Sequence, residues 1–193
     1  MNDSSPQIPV AIESSRLQMG KKMIEESKKM LIIPHANVDP DGLSSALALY
    51  LLLTSQGKEC TVLCPDTLPE SLEFLPGFEK LENTLRASQD FIITLDCSRG
   101  MEVDKLRYTV EENKVNIVVT PKGGAFSGRD VTFQEGAFPY DLIVVVDTAD
   151  LVLLGSVYEK HREFFQTVPI LNIDHHISNT KFGKYQLIDP TAA

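Results

Sequence analysis

The chain reads as an α/β protein: a mostly parallel β-sheet flanked by helices, with an inserted β-hairpin segment. Three observations predict this. The short apolar runs Met30–Pro34, Leu142–Val146 and Val168–Ile173 have the unbroken hydrophobicity of strands buried on both faces. Strand-like and helix-like segments alternate, as in parallel strands joined by crossover helices. Each of the three runs also leads directly into acidic and histidine residues: His35 to Gly42, Asp147–Thr148, and Asp174–His175–His176. Open α/β sheets place their sites just past the carboxyl ends of their strands.

Taken in order, residues 1–12 are polar, contain two prolines and read as a flexible N-terminal arm, leaving 13–193 as one catalytic-type domain. Leu17, Met19, Met23 and Ile24 give Glu13–Lys29 one apolar helical face, although Gly20 lowers its helix propensity. The strand at Met30–Pro34 precedes Gly42–Leu53, small or apolar almost all round, as in a helix packed on a sheet and ended by Gln56–Gly57. Cys60–Cys64 and Phe91–Leu95 read as further strands of the same parallel alternation. Leu106–Val110 and Val115–Thr120 flank Glu111–Lys114 as a β-hairpin, the centre of an insertion at about 104–135 that Val131–Phe133 could extend with another strand. The Lys122–Gly128 loop is glycine-rich and could cradle phosphate, but it lacks the P-loop pattern, and a plain hairpin connection explains it better.

At 193 residues the chain can bury a sizeable core, and 42% hydrophobic with 23% charged residues is ordinary globular composition. No apolar run approaches the ~20 residues that span a bilayer, so no membrane partner is expected. The beginning of the chain has no basic or apolar segment like a secretory signal. Three cysteines, Cys60, Cys64 and Cys97, form no disulfide framework and point to reduced thiols in a cytoplasmic protein. A net charge of −9, from 27 acidic and 18 basic residues, argues against a broad grip on extended duplex nucleic acid. It leaves room for a small nucleotide or short oligonucleotide at a metal site, where bound cations supply the positive charge.

The three clusters carry the chemistry. His35, Asp39 and Asp41 leave a strand together, and the small residues Gly42, Ser44 and Ser45 let a helix begin close beside them. A helix cap at Asp41 or Ser44 would need one oxygen only, so the three groups together favour a metal. Asp147 ends an apolar strand and could equally cap a following helix at 149–154. Asp96 stands at a comparable strand end and competes with it. Asp174, His175 and His176 put three titratable groups at one strand end. His161, among Glu159, Lys160 and Arg162, reads as an exposed helical residue.

These motifs resemble the DHH phosphoesterase family, which includes RecJ-like nucleases, oligoribonucleases, cyclic-dinucleotide phosphodiesterases and family II inorganic pyrophosphatases. The family's first motif is similar to His-x-Asn-Pro-Asp-Gly-Asp-Ala-x-Gly-Ser. Here it stands as His35, Asn37, Val38, Asp39, Pro40, Asp41 and Gly42, with the histidine and both aspartates matched. Asp147–Thr148–Ala149–Asp150 resembles the second motif, and its separation from the last motif favours Asp147 over Asp96. Asn172–Ile173–Asp174–His175–His176, with Asn179, Phe182 and Gly183, resembles the signature itself.

The resemblance implies a definite site. His35, Asp39 and Asp147 would hold one metal, and Asp41, Asp147 and His175 the other, with Asp147 bridging. Asp174 would orient a ligand histidine. His176 would contact the substrate phosphate and protonate or stabilise the leaving oxygen. Two Mn²⁺ ions suit these mixed ligands, with Mg²⁺, Co²⁺ or Zn²⁺ as alternatives. The implied chemistry is two-metal hydrolysis, with water attacking phosphorus in line between ions ~3.5–4 Å apart. Substrates would be small nucleotides, cyclic dinucleotides or short oligonucleotides; pyrophosphate hydrolysis and a non-catalytic nucleotide-binding module are the alternatives. The family's C-terminal substrate domain is not expected within this chain, where 17 residues follow His176, and the isolated chain is expected to be weakly active. Open strand edges such as Leu106–Thr120 are expected to favour a homodimer.

Overall fold

The computed structural model describes residues 14–192; the N-terminal arm expected at 1–12 lies outside them. Two compact units are present, one formed by residues up to 88 and from 138 onward, the other by 89–137.

The first unit is a sheet covered on both faces. Helix α1 (Ser14–Glu26) leads into β1 (Lys29–Ile33), α2 (Pro40–Ser55), β2 (Glu59–Leu63) and the short β3 (Leu81–Glu82). After the second unit come β8 (Leu142–Val146), α3 (Ser156–Lys160), α4 (Arg162–Thr167), β9 (Ile170–Asp174) and β10 (Tyr185–Ile188). The strand order is β10-β9-β8-β1-β2-β3 and every pairing is parallel. From β1 the chain builds outward to β2 and β3, then returns to the other side of β1 for β8, β9 and β10. The order therefore reverses between β1 and β8, which opens a crevice at their carboxyl ends.

Side chains alternate across this sheet as the period of two requires. Met30 and Ile32 of β1, with Leu142, Val144 and Val146 of β8, pack with Leu43, Ala46 and Leu47 of α2. Leu31 and Ile33, with Ile143 and Val145, face Phe164, Phe165 and Val157 on the opposite side. Burial on both faces explains the continuous apolar runs. α1 buries a narrower stripe than the sequence suggests. Gly20 is buried and Met23 and Ile24 join the core, but Leu17 and Met19 stand exposed. A β-carbon at Gly20 would come within 2.8 Å of Leu187 Cδ1, so glycine lets α1 approach β10 closely. Among the described residues, no helix is long and apolar enough to cross a membrane.

The second unit corrects two expectations. Strand β4 (Phe91–Leu95) does not extend the parallel sheet; it pairs antiparallel with β7 (Val131–Glu135). β7 in turn does not extend the hairpin, which is a separate ribbon of β5 (Val103–Glu111) and β6 (Lys114–Pro121). The hairpin, from Val103 to Pro121, lies within a compact unit of residues 89–137. A short apolar run has the same appearance in a buried parallel strand and in a two-stranded ribbon, and only pairing tells them apart.

Candidate metal centre

Three loops bring the site together. After β1, the His35–Asp39 loop is pinned by Ala36 N–H donating to Leu153 O (2.7 Å) and Val38 N–H donating to Asp66 Oδ2 (2.8 Å). Asp39, not Asp41 or Ser44, caps α2: its Oδ1 accepts from Gly42 N–H at 2.9 Å, and Pro40 starts the helix. A β-carbon on Gly42 would stand 3.2 Å from Asp147 Oδ2 and 3.4 Å from His35 Nε2, so glycine there lets the first turn of α2 close on the site.

Asp147 sits at the end of β8 with φ of 49°, a left-handed conformation unfavourable to a residue with a β-carbon. Its N–H continues the sheet to Ile173 O at 2.9 Å. The next carbonyl, Thr148 O, is held by the side-chain amides of Asn172 (3.1 Å) and Asn179 (3.2 Å). The helix-cap role open to Asp147 falls to Asp150, whose Oδ1 accepts from Val152 N–H. Asp147 is left buried and turned into the site.

Its two oxygens face different partners. Oδ2 lies 3.8 Å from His35 Nε2, and that nitrogen is 3.9 Å from Asp39 Oδ1. Oδ1 lies 3.1 Å from His175 Nε2, which is 4.0 Å from Asp41 Oδ2, and 3.5 Å from His176 Nδ1. Two overlapping groups capable of holding a metal result, one of His35, Asp39 and Asp147, the other of Asp147, Asp174, His175 and His176.

Ring orientation sharpens this. His35 Nδ1 is 3.0 Å from Ala36 O and His175 Nδ1 is 3.1 Å from Ala192 O. A carbonyl only accepts, so each ring donates from Nδ1 and turns Nε2 toward Asp147. Among the described residues, Asp147 Oδ1 is a buried oxygen without a hydrogen-bond partner. With Nδ1 engaged by a carbonyl, Nε2 is the atom each ring has left to ligate, and Asp147 Oδ1, 3.1 Å from that of His175, is the oxygen a cation held by that ring would share. Burial, then the nearby carboxylates of Asp41 and Asp39, push the Asp147 carboxyl up. The donor set therefore fits divalent cations.

Behind it, Asp174 is oriented from all sides. Burial would raise its carboxyl, but hydrogen bonds from Asn179, His176 and the backbone N–H groups of both histidines hold it below the usual range. Asn179 Nδ2 reaches Asp174 Oδ2 at 2.5 Å, and His176 Nδ1 donates to Asp174 Oδ1 at 2.7 Å. That second bond raises the His176 imidazole above its ordinary value and fixes which nitrogen stays outward: Nε2.

Asn172 and Asn179 are the functional residues that sequence reasoning left without a role. Asn172 is wholly buried in β9, and Asn179 Nδ2 also donates to its Oδ1 at 2.7 Å. A buried amide inside an otherwise apolar strand was the available signal. Asp96 is not in either metal-type group; it belongs to the second unit, where its carboxylate accepts from Ser98 N–H at 2.8 Å. Asp189 Oδ1 accepts from Thr191 N–H, as a turn residue at Pro190. His161 lies between α3 and α4, partly exposed.

Comparison with known proteins agrees with this fold. An exopolyphosphatase-related protein from Bacteroides fragilis has a similar fold, with a TM-score of 0.59 and 17% sequence identity; the match covers 95% of this chain and 41% of that one. The chain thus spans about two fifths of that relative's length. The family model described as "DHH family, N-terminal domain" matches residues 29–193. With this match over most of its length, the chain belongs to the DHH family of phosphoesterases, as its N-terminal domain.

Proposed function

We propose that this domain hydrolyses phosphodiester bonds in small nucleotides, cyclic dinucleotides or short oligonucleotides at a two-metal centre. One observation carries the reading: the two oxygens of buried Asp147 point to two separate histidine Nε2 atoms, each with its own carboxylate nearby. His35, Asp39 and Asp147 would hold one cation; Asp41, Asp147 and His175 the other. Mixed imidazole and carboxylate donors suit Mn²⁺, with Mg²⁺, Co²⁺ or Zn²⁺ as alternatives. When bound, such a pair lowers the pKa of water and offsets charge on the phosphoryl oxygens. Asp39 does double duty, capping α2 and facing His35. Asp174 holds the His176 ring by Nδ1, so Nε2 is the atom available to contact phosphate and give a proton to the leaving oxygen.

A cavity of about 460 Å³ lies against Asp41, Asp147 and His175, walled by Leu49, Leu52 and Leu187. It offers an apolar surface next to the reacting groups, which suits a nucleoside. The description of the Bacteroides relative brings phosphoanhydrides in as a second substrate class. Free Cys60, Cys64 and Cys97 support a reducing, cytoplasmic setting. Pairing of two copies through the open edges of the β5–β6 ribbon is the proposed self-association.

The test is metal content by mass spectrometry after Mn²⁺ loading and desalting, with turnover of a dinucleotide and of pyrophosphate alongside. Near two equivalents in the wild type, largely lost in Asp147→Asn, is the expected result. His176→Ala should keep the metal and lose about 10²–10⁴-fold in turnover. No bound metal in the wild type would sink the two-metal reading and leave a non-catalytic nucleotide-binding module. Preference for pyrophosphate over the dinucleotide would move the substrate to the anhydride class.

A further inference from the structure

The two sides of the site differ in chemistry. The cavity beside His175 is walled by leucines, but beside His176 two adjoining hollows of about 290 and 260 Å³ share Arg16, Lys181 and Gln186 in their walls. The first contains His176 and Asn179; the second continues to Lys184. Sharing these walls, the two hollows flank Lys181 on the side of His176 and on the side of Lys184, and are treated together as one groove. The chain carries a net charge of −9, yet among the described residues this groove is lined by Lys181 and Lys184, with Arg16 on its wall, and by no carboxylate. Both lysines are exposed.

Lys181 is held in place by its surroundings. Its φ is 59°, a left-handed backbone that a residue with a β-carbon keeps only where its neighbours enforce it. Its N–H donates to Asn179 Oδ1 at 2.7 Å, and its carbonyl accepts from Gln186 Nε2 at 2.9 Å. The same Gln186 amide also donates to Gly183 O. Asn179 is the residue that supports Asp174, so the lysine's backbone and the carboxylate behind His176 share one anchor.

We propose that this groove is an anion track. It takes the phosphate next to the scissile one in a substrate that is a chain of phosphates or phosphodiesters, through Lys181 and Lys184, with Arg16 on the same wall. An ammonium group binds phosphate as a point charge, without the base-edge geometry that reads sequence. The track therefore selects for a second phosphate, not for a base. Its use in turnover rests on the phosphoesterase reading above; its affinity for anions does not.

The experiment is an amide NMR titration of the metal-free full chain in EDTA with tripolyphosphate, at low and at physiological salt. Orthophosphate and a four-residue oligothymidylate are titrated in parallel. Tripolyphosphate should move resonances at 181–186 and bind more tightly than orthophosphate. Lys181→Gly, which keeps the left-handed backbone accessible, combined with Lys184→Ala should weaken it about tenfold and reduce the logarithmic salt slope by about one to two. Lys181→Arg should restore binding, and Lys184→Glu alone should weaken it if the double variant does not fold. Equal behaviour of oligothymidylate points to a phosphodiester backbone as the source; binding of tripolyphosphate alone points to a phosphoanhydride. Wild type that does not distinguish tripolyphosphate from orthophosphate, or lysine variants that bind it unchanged, would overturn the track. Loss of metal-dependent turnover with these titrations intact would overturn the phosphoesterase reading only.

Discussion

At the scale of single residues, the site depends on side chains whose neighbours leave them one orientation. Asn179 illustrates this: one amide group reaches Thr148 O, Asn172 Oδ1 and Asp174 Oδ2, tying the Asp147 loop to the Asp174 loop. Asn179→Ala should lower Mn²⁺ affinity or turnover by about 10–100-fold, the usual effect of removing a partner behind a ligand, while leaving the fold intact. A Mn²⁺ titration beside a thermal melt measures both. The thiols give a control away from the site. Burial pushes the Cys60 thiol up to about 11, and Cys64 is also raised, first by burial. At pH 8 a thiol at that value is thiolate in roughly one molecule per thousand, well below an ordinary cysteine. Exposed Cys97 should therefore label first with iodoacetamide, and Cys60 should follow only as the pH approaches 11 or on unfolding. Fast labelling of Cys60 at pH 8 would show that its surroundings are open. The residues bearing charge were legible in the sequence because acid and histidine stand out after apolar runs. Asn172 and Asn179 were not, because an amide acquires its role from the acceptors the fold puts around it.

At the scale of elements, positions near backbone are the stringent ones. Gly183 follows the DHH loop into β10, and a β-carbon there would stand 2.7 Å from Tyr185 O and 3.1 Å from Ile170 O. Backbone cannot move aside as a side-chain tip can, so Gly183→Ala should cost about 1–3 kcal/mol. Denaturant unfolding reads it, and an unchanged midpoint would mean that β10 shifts freely against β9. The contrast is Gly20, where the obstructing atom is the end of the Leu187 side chain. β1, β2, β8 and β9 were readable as strands from their hydrophobicity, and α2 from its apolar length. The partners of β4 and β7 were not, since periodicity names a strand but not the strand beside it. Likewise the sequence offered Asp41 and Ser44 as caps of α2, and the backbone turn at Pro40 assigns that work to Asp39.

At the scale of the whole molecule, the inserted ribbon is the unsettled surface. In register, Leu106 opposes Val119, Tyr108 opposes Ile117 and Val110 opposes Val115, so one face is wholly apolar. The other face pairs Arg107 with Val118, Thr109 with Asn116 and Glu111 with Lys114. Leu106, Tyr108 and Val110 are 70%, 72% and 64% exposed, far more apolar surface than a two-stranded ribbon leaves in water without consequence. Concentration-dependent self-association is expected, and Leu106→Lys with Tyr108→Thr should reduce it while leaving metal content unchanged. Sedimentation velocity over a hundredfold range of concentration measures this; a wild type monomeric throughout would remove the dimer reading.

The sequence alone determined the α/β class, the three strand ends that carry the site, and the acids and histidines worth examining. It did so because burial of a parallel sheet on both faces writes itself as apolar runs, and because ionisable groups at the ends of such runs need a reason to be there. The motif resemblance already favoured Asp147 over Asp96, and the tertiary structure alone put its two oxygens beside two different histidines. Only it showed that Asn172 and Asn179 hold the two loops together, and that Arg16 of α1 lines the same hollows as Lys181. These are relations between segments far apart in the chain, set by which strands pair and which helices approach, and no local pattern of residues encodes the distance between two loops.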